Sequence, residues 1–293
     1  MNRPKIILLV GPPGVGKTTY ANKYITENPN TIHLSSDSIR KELWGDEAIQ
    51  GDNNEVFSLM QTRAIEALNH GQNVIYDATN MTRKDRSYII ALCPKFVQIE
   101  AHIVWAPIKT CVERDAARER TVGKEVIDKM LKRFQTPYYD EGIDEIKIIH
   151  PDEFDREKYI NECFNAMKIP HDNPHHTLNI YDHCISATEH AFFNLFTDSI
   201  DDDVLTAILW HDVGKPYVKA FMDGKNNPCE HAHFYQHHCV GAWMVCGVFD
   251  STNISWLVST HMDPFLDTKY YKRLPVYLKE KVDLLHAADL AAH

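Results

Sequence analysis

The 293-residue chain is long enough for one or two domains, and its hydrophobic content of 44% is sufficient to bury their cores. It contains neither a signal-peptide pattern nor an apolar run of about 18 residues, so the sequence argues against a membrane protein. The seven cysteines are scattered and form no C-x-x-C pair, which favours a reduced, cytoplasmic protein.

Charge and histidine divide the chain into two parts. Residues 1–150 hold 20 basic and 20 acidic side chains, whereas residues 151–293 carry the whole net charge of −10 and 13 of the 17 histidines. We therefore expect two domains, over residues 1–150 and 171–293, joined by a polar linker over residues 151–170. Neither part is basic enough to form a nucleic-acid platform, so a polynucleotide would be held by a few local arginines.

The segment Gly11–Thr18 (GPPGVGKT) fits the phosphate-binding pattern G-x-x-x-x-G-K-[ST]. It follows an apolar run, Lys5–Val10, that predicts a buried strand, and it precedes a predicted helix over Thr18–Thr26. Glycines allow backbone N–H groups to approach phosphates closely, while Lys17 reaches the β- and γ-phosphates and Thr18 holds Mg²⁺. We expect ATP or another nucleoside triphosphate to contact Gly11, Gly14, Gly16, Lys17, Thr18 and Thr19.

Strand and helix patterns then alternate up to residue 150. The predicted strands are Thr31–Leu34, Asn73–Tyr76, Val97–Trp105 and Ile146–Ile149, and the predicted helices are Asn54–Asn69, Thr82–Leu92 and Ile108–Arg120. This alternation favours a doubly wound α/β layer with a parallel sheet. Ligands of such sheets lie at the carboxyl ends of the strands, so the polar residues that follow the strands are the candidate site residues.

Phosphoryl transfer needs a base for the acceptor hydroxyl and cations around the moving phosphate. Asp37 can be the base, although it could instead cap a helix that begins at Ser38. Arg40 can hold a phosphate of the acceptor through a bidentate pair. Arg114 and Arg118, four residues apart on one predicted helix, can close over the triphosphate, although Arg114 could also belong to a solvated face. The remaining candidates on the acceptor and Mg²⁺ side are Asp77, Thr79, Asn80 and Arg83.

Together these residues resemble the kinase domain of phage polynucleotide 5′-hydroxyl kinases, over about residues 4–150. The resemblance is carried by Gly11–Thr18, Asp37-x-x-Arg40, Val74–Asn80, Arg114-x-x-x-Arg118 and Pro137 with Glu141-Gly142. It implies that Asp37 is the general base, that Arg40 binds the 3′-phosphate of the acceptor nucleotide, and that Arg118 contacts the donor phosphates. Relatives that phosphorylate small molecules share the loop and the arginine pair, so Asp37 and Arg40 carry the polynucleotide interpretation.

Residues 171–293 predict helices without alternating strands, over Thr177–Leu195, Val204–His211, Ala242–Phe249, Asn253–His261 and Tyr277–Ala292. Histidine and carboxylate side chains from separate helices suit divalent transition metals, and a shared carboxylate can bridge two of them. A lone buried histidine is more often structural. We retain that interpretation for His175, His176, His190, His286 and His293.

The order H…HD…H…H…D resembles the HD phosphohydrolase superfamily, and the stretch H-D-V-G-K-P and His237-x-x-x-Gly241-Ala242 carry the resemblance. It implies that Asp212 bridges two divalent metals and that Lys215 holds the substrate phosphate. The implied ligands are His183, His211, Asp212 and Asp289 for one metal, and Asp212, His237 and His261 for the other. His238 remains an alternative to its neighbour His237.

The two resemblances imply a bifunctional enzyme of RNA repair, which phosphorylates 5′-OH ends and removes a 2′,3′-cyclic, 2′- or 3′-phosphate. Its substrates would be RNA or DNA ends, its cofactors ATP or another NTP with Mg²⁺ and a transition metal such as Mn²⁺, Co²⁺ or Ni²⁺, and its partner an RNA ligase. One alternative is a nucleoside or small-molecule kinase fused to an HD nucleotidase, in which Arg40 would lack an obvious role. Another is a nucleotide-controlled regulatory protein with an HD sensor, which would need neither Asp37 nor a full set of ligands.

Overall fold

The computed structural model describes residues 3–49, 51–174, 177–195 and 201–292, so His175, His176 and His293 lie outside the described residues. The chain forms two compact units. The first comprises residues 1–130 and 137–152, and the second comprises residues 131–136 and 153–293.

The first unit contains a five-stranded sheet in which every neighbouring pair is parallel. Its strands are β1 (Lys5–Val10), β2 (Thr31–Ser35), β3 (Asn73–Asp77), β4 (Gln98–Val104) and β5 (Glu145–Ile149), in the order β2-β3-β1-β4-β5. Central strand β1 is fully buried from Ile6 to Val10, which explains its unbroken apolar sequence. The sheet therefore presents its carboxyl ends along one edge, as expected for a doubly wound layer.

The helices of this unit are α1 (Lys17–Glu27), α2 (Ser36–Trp44), α3 (Asn53–Asn69), α4 (Arg83–Ile90), α5 (Ile108–Ala116) and α6 (Lys124–Leu131). The predicted helix over residues 108–120 is too long, because α5 ends at Ala116. The buried carboxylate of Asp115 accepts hydrogen bonds from the backbone N–H groups of Val122 and Gly123, at 3.0 and 2.9 Å, and so turns the chain back. Arg118 consequently lies beyond the helix that carries Arg114.

The second unit is helical. Its helices are α7 (Arg156–Met167), α8 (Ile180–His190), α9 (Asp202–Trp210), α10 (Lys215–Val218), α11 (His237–Val245), α12 (Thr252–Thr260), α13 (Asp263–Leu266) and α14 (Val276–Ala291). One antiparallel strand pair was not expected, β6 (Ala220–Met222) with β7 (Pro228–His233). Its connection is a turn in which the Asp223 carboxylate accepts from the backbone N–H groups of Lys225 and Asn227, each at 2.8 Å.

Two segments near the predicted boundary between the domains differ from the prediction. Helix α7 occupies most of the stretch interpreted as a linker, and its N-terminus is capped by the Asp155 side chain. Residues 131–136 pack in the second unit, where the Phe134 ring meets Trp243 edge-on at 5.3 Å and Thr136 Oγ1 lies 2.7 Å from Ser255 Oγ. None of the helices in the described ranges is both long enough and apolar enough to cross a membrane.

The buried ion pair Arg86–Glu141 provides a test of the first unit. Arg86 is fully buried, donates to both Glu141 carboxylate oxygens at 2.8 and 2.7 Å, and donates to the Asn80 carbonyl at 3.0 Å. Because Arg86→Met leaves the Glu141 charge buried without its partner, we expect a loss of about 3–5 kcal/mol of stability. This loss of stability can be measured as a decrease in hydrogen-exchange protection of the backbone amides in β1 and β3.

The matched control is Arg63→Met, which breaks an equally well-formed pair with Glu42 on the surface. Solvent screens that pair, so the exchange rates should hardly change. Equal losses of protection in the two variants would contradict the assignment of a structural role to the buried pair.

Candidate functional site

The phosphate-binding loop joins β1 to α1, and positive φ angles at three of its glycines shape it: Gly11 at 156°, Gly14 at 78° and Gly16 at 106°. A Cβ on Gly14 would lie 2.1 Å from the Cys111 carbonyl oxygen, so α5 packs directly against the loop backbone. Lys17 Nζ donates to the carbonyls of Gly11 and Pro12 at 2.8 and 3.0 Å. The loop thus positions its lysine through its own backbone carbonyls.

Thr18 and Asp77 meet at the carboxyl ends of β1 and β3. Thr18 Oγ1 donates to Asp77 Oδ2 at 3.2 Å, and His33 Nε2, on the neighbouring strand β2, lies 3.0 Å from the same oxygen. A hydroxyl backed by a buried carboxylate at this position suits Mg²⁺ bound to a triphosphate. The contact from His33 was not predicted, since the sequence shows His33 only as a polar residue within a strand.

Asp37 and Arg40 form an ion pair on the first turns of α2. Arg40 Nη1 donates to Asp37 Oδ1 at 2.9 Å, and Nη2 donates to Asn53 Oδ1 at 3.0 Å. Because α2 begins at Ser36 with Ser35 as its N-cap, Asp37 lies inside the first turn and does not cap the helix. Its carboxylate is 58% exposed, which leaves it accessible to an acceptor.

Electrostatics connect these residues to Lys17. Burial lowers the pKa of Lys17, and the positive charge of Arg118 acts in the same direction, while the carboxylates of Asp77 and Asp37 oppose the shift. Arg114 Nη1 donates to the Val15 carbonyl of the loop at 3.3 Å. Both arginines of the predicted pair therefore act at the loop, although only one lies on α5.

The residues that follow β3 have structural contacts. The Thr79 carbonyl accepts from the Gly11 N–H at 3.0 Å, and Asn80 Nδ2 donates to the Leu9 carbonyl at 2.8 Å. Arg83 pairs with Asp140 at 2.8 Å. In this structure the side chains of Asn80 and Arg83 are thus engaged within the unit, while Thr79 supports the loop through its backbone.

A second cluster lies in the helical unit, where four histidines converge with Asp212 and Asp289. Each ring is oriented in the same way, with Nδ1 within 2.9 Å of a backbone carbonyl oxygen. The pairs are His183 with Ala292, His211 with Ile208, His237 with Phe234, and His261 with Val258. Since a carbonyl can only accept, Nδ1 carries the proton and Nε2 offers its lone pair to the cluster.

The ligand atoms form two sets that share Asp212. The sets are His183, His211, Asp212 and Asp289, and Asp212, His237 and His261. In the first, His183 Nε2 and His211 Nε2 lie 2.9 and 3.2 Å from Asp289 Oδ1. In the second, His237 Nε2 lies 3.2 Å from Asp212 Oδ1 and 3.0 Å from His261 Nε2. All six predicted ligands are therefore brought together, and His237 rather than His238 reaches the cluster.

The cluster fits divalent cations on chemical grounds. His211 Nε2 is buried and makes no hydrogen bond to any residue that the structure describes. Burial opposes the charge of Asp212, but His211 and Lys215 hold the pKa of that carboxyl well below its usual value. Burial and the neighbouring His237 lower the pKa of His261 well below the ordinary range. Burial alone would lower the pKa of His211, but the Asp212 carboxylate raises it well above the ordinary value, so a divalent cation at the cluster would replace the proton that His211 otherwise holds. Ionised carboxylates and neutral imidazoles are the forms that bind transition metals.

Two further residues complete the surroundings of Asp212. Lys215 Nζ lies 2.6 Å from Asp212 Oδ2, as expected of a lysine at the site. His171, which the sequence analysis missed, is buried with its Nε2 3.3 Å from Lys215 Nζ and 4.0 Å from Asp212 Oδ2. His171 is not part of the H…HD…H…H…D order, so no sequence pattern predicted that it would lie at this site.

Comparison with known families finds two separate matches along the chain. Residues 6–137 match a family described as an AAA domain, and residues 175–291 match the HD domain family. The predicted fold class is confirmed: a P-loop domain with a parallel five-stranded sheet precedes a helical HD domain. The first domain implies a nucleotide with Mg²⁺, and the second implies a divalent metal.

Individual similar proteins are distant. The Arabidopsis thaliana protein named transcription factor bHLH140 is 26% identical over 154 residues, which are 50% of this chain and 16% of that protein. A structure of the Pnkp1/Rnl/Hen1 RNA repair complex matches at 22% identity and a TM-score of 0.42, over 45% of this chain and 44% of that chain. A fungal RNA kinase matches at 13% identity and a TM-score of 0.39, over 71% and 49%. This chain spans less than half the length of each.

Metal content tests the assignment of ligands to two overlapping sets. We expect the purified protein to bind two divalent ions, His261→Gln to lose one, and Asp212→Asn to lose both, since only Asp212 belongs to both sets. Calorimetric titration with Mn²⁺ and elemental analysis measure the stoichiometry. His238→Gln is the matched control and should keep both ions; loss of an ion from that variant would show that the second set is wrongly assigned.

Proposed function

Since the chain consists of an AAA-type P-loop domain followed by an HD domain, we propose that it is a bifunctional enzyme that heals nucleic-acid ends. The first domain transfers a phosphoryl group from ATP or another NTP to a 5′-OH end. The second removes a 2′,3′-cyclic, 2′- or 3′-phosphate. Of RNA and DNA ends we propose RNA as the substrate in RNA repair, with an RNA ligase as the partner that seals the healed ends.

In the kinase reaction, Asp37 takes the proton of the attacking hydroxyl, and Arg40 grips the 3′-phosphate of the acceptor nucleotide. Lys17, Arg114 and Arg118 offset the charge on the donor phosphates. Mg²⁺ bound by Thr18, with Asp77 behind it, would neutralise the phosphate oxygens. The observation that carries this assignment is geometric: at the carboxyl ends of parallel strands, Thr18 Oγ1 donates to Asp77 Oδ2 at 3.2 Å, and Arg40 Nη1 donates to the exposed carboxylate of Asp37 at 2.9 Å.

In the hydrolase reaction, the two overlapping ligand sets hold the metals, and Lys215 binds a phosphate oxygen. Two divalent ions, of which Mn²⁺, Co²⁺ and Ni²⁺ are the candidates, would supply an activated water and charge for the leaving oxygen when bound. The observation that carries this half is the convergence of four Nε2 lone pairs on a carboxylate that both sets share. A cytoplasmic location is part of the proposal, since all seven cysteines are free thiols.

The acceptor site is tested with oligonucleotides that carry a 5′-OH, with and without a 3′-phosphate on the terminal nucleotide. Asp37→Asn removes the base but keeps the shape, so kcat should fall roughly 10²-fold or more. Arg40→Ala should mainly raise KM for the 3′-phosphorylated acceptor, while Lys41→Ala, its exposed neighbour, should behave as wild type. Lys17→Ala should abolish this activity and leave phosphate removal intact.

The same assay separates the alternatives. If Arg40→Ala affects a bare nucleoside as strongly as the 3′-phosphorylated oligonucleotide, the protein is a nucleoside or small-molecule kinase. Parallel reactions with RNA and DNA oligonucleotides decide the preference for the sugar. If neither an oligonucleotide nor a nucleoside is phosphorylated by the folded protein, the P-loop serves regulation.

The metal site is tested by removal of the ions. Chelation and Asp212→Ala should each abolish phosphate release from 2′,3′-cyclic, 2′- and 3′-phosphate ends, because the buried carboxylate belongs to both ligand sets. Adding Mn²⁺, Co²⁺ or Ni²⁺ should restore the chelated wild type only. Kinase activity assayed with Mg²⁺ should survive Asp212→Ala. A purified protein that holds no metal and releases no phosphate with any divalent ion would reveal the second domain as a folded adaptor.

A further inference from the structure

Lys215 is held by two different kinds of acceptor. Its ammonium lies 2.6 Å from the Asp212 carboxylate and 3.3 Å from His171 Nε2, and it lies over the Phe234 ring, 5.4 Å from the ring centroid. An ammonium has three N–H donors. Two are directed at Asp212 and His171, and the described part of the chain offers no third hydrogen-bond partner.

The tautomer of His171 follows from its other nitrogen. His171 Nδ1 lies 2.9 Å from the Leu178 carbonyl oxygen, which can only accept, so Nδ1 carries the proton. Nε2 is then an acceptor for the ammonium. His171 is buried, and no ligand atom of it belongs to either metal-ligand set of the described residues.

The backbone on both sides of His171 is fixed. Lys219 Nζ donates to the Pro170 carbonyl at 2.5 Å and to the Asp172 carboxylate at 2.6 Å, and thus bridges the two neighbours of His171. The Asp172 carbonyl also accepts from the Ala232 N–H of β7, at 2.9 Å. The imidazole is therefore presented to Lys215 by a segment tied to both α10 and the strand pair.

We propose that His171 is a positioning residue that aims the third N–H of Lys215 at the substrate phosphate. A neutral imidazole can orient an ammonium without cancelling its charge, which a second carboxylate would do. Lys215 thereby keeps an uncancelled share of its charge for a phosphate oxygen. This inference rests on the proposed hydrolase function of the second domain.

The test compares His171→Phe, which keeps a ring but removes the acceptor, with His171→Gln, which keeps an acceptor oxygen. In the Mn²⁺-loaded full chain, His171→Phe should raise KM for a 2′,3′-cyclic phosphate end about tenfold and change kcat little, because a bond to a charged group is weakened. The dissociation constant of inorganic phosphate, measured by calorimetry, should rise by the same factor. His171→Gln should recover much of both losses.

A double-mutant cycle separates positioning from a general structural role. In a Lys215→Met background, His171→Phe should cause no further loss of phosphate binding, since it acts through the lysine. Metal content should stay at the wild-type value in every variant. The control is His190→Gln, a histidine at the end of α8 that contacts Asn194 and should bind phosphate as wild type does.

Additive losses in the cycle, lost metal in His171→Phe, or unchanged phosphate affinity in that variant would each overturn the inference. Circular dichroism identifies a variant that fails to fold, and His171→Ala, which also removes the acceptor, then carries the test, with additivity in the Lys215→Met background as the outcome against the proposal. Failure of the hydrolase function looks different, because the wild type itself would then bind no phosphate and release none.

Discussion

The second domain depends on the burial of one carboxylate. Asp212 is only 1% exposed, and an ionised group at such a position is costly unless nearby charge or metal compensates for it. Three of the histidines that surround Asp212 are oriented by the same local hydrogen bond at the ends of helices. His211 and His261 terminate α9 and α12, and each directs Nδ1 at the carbonyl three residues earlier, so that Nε2 points to the centre. His237 makes the same bond at the start of α11. The backbone therefore fixes the ring directions of these histidines.

The first domain binds an anion, whereas the cluster of the second domain suits cations. The P-loop therefore offers backbone N–H groups at glycines and one lysine to a triphosphate, rather than buried carboxylates. Asp77 is a buried carboxylate near the loop, and the hydroxyl of Thr18 and the ring nitrogen of His33 both contact its Oδ2 atom. Because the strands are parallel, Thr18, Asp77 and Asp37 all follow strand ends at the same edge of the sheet.

Much of this could be predicted from sequence because the decisive signals are local. Residue order alone reveals both the strand–loop–helix context of the P-loop and the order of the HD ligands. All six predicted ligands meet in the structure. What could not be predicted depends on side-chain contacts that the helix and strand patterns do not contain. The early end of α5 is caused by Asp115, whose carboxylate binds a later turn. His171 reaches Lys215 only through folding, across 44 residues of sequence.

The two proposed phosphate-binding lysines share one physical feature. In the structure, Lys17 donates to carbonyls of its own loop and Lys215 pairs with Asp212, so each already contacts a protein oxygen. On the proposed assignment, Lys17 would exchange neutral carbonyls for phosphate oxygens, whereas Lys215 would keep its bonds to Asp212 and His171 and use its remaining N–H. A divalent ion on Asp212 would share the charge of that carboxylate and leave more of the lysine's charge for the phosphate. The proposed HD metals and Lys215 thus meet at a single carboxylate, whereas Lys17 is held by backbone carbonyls.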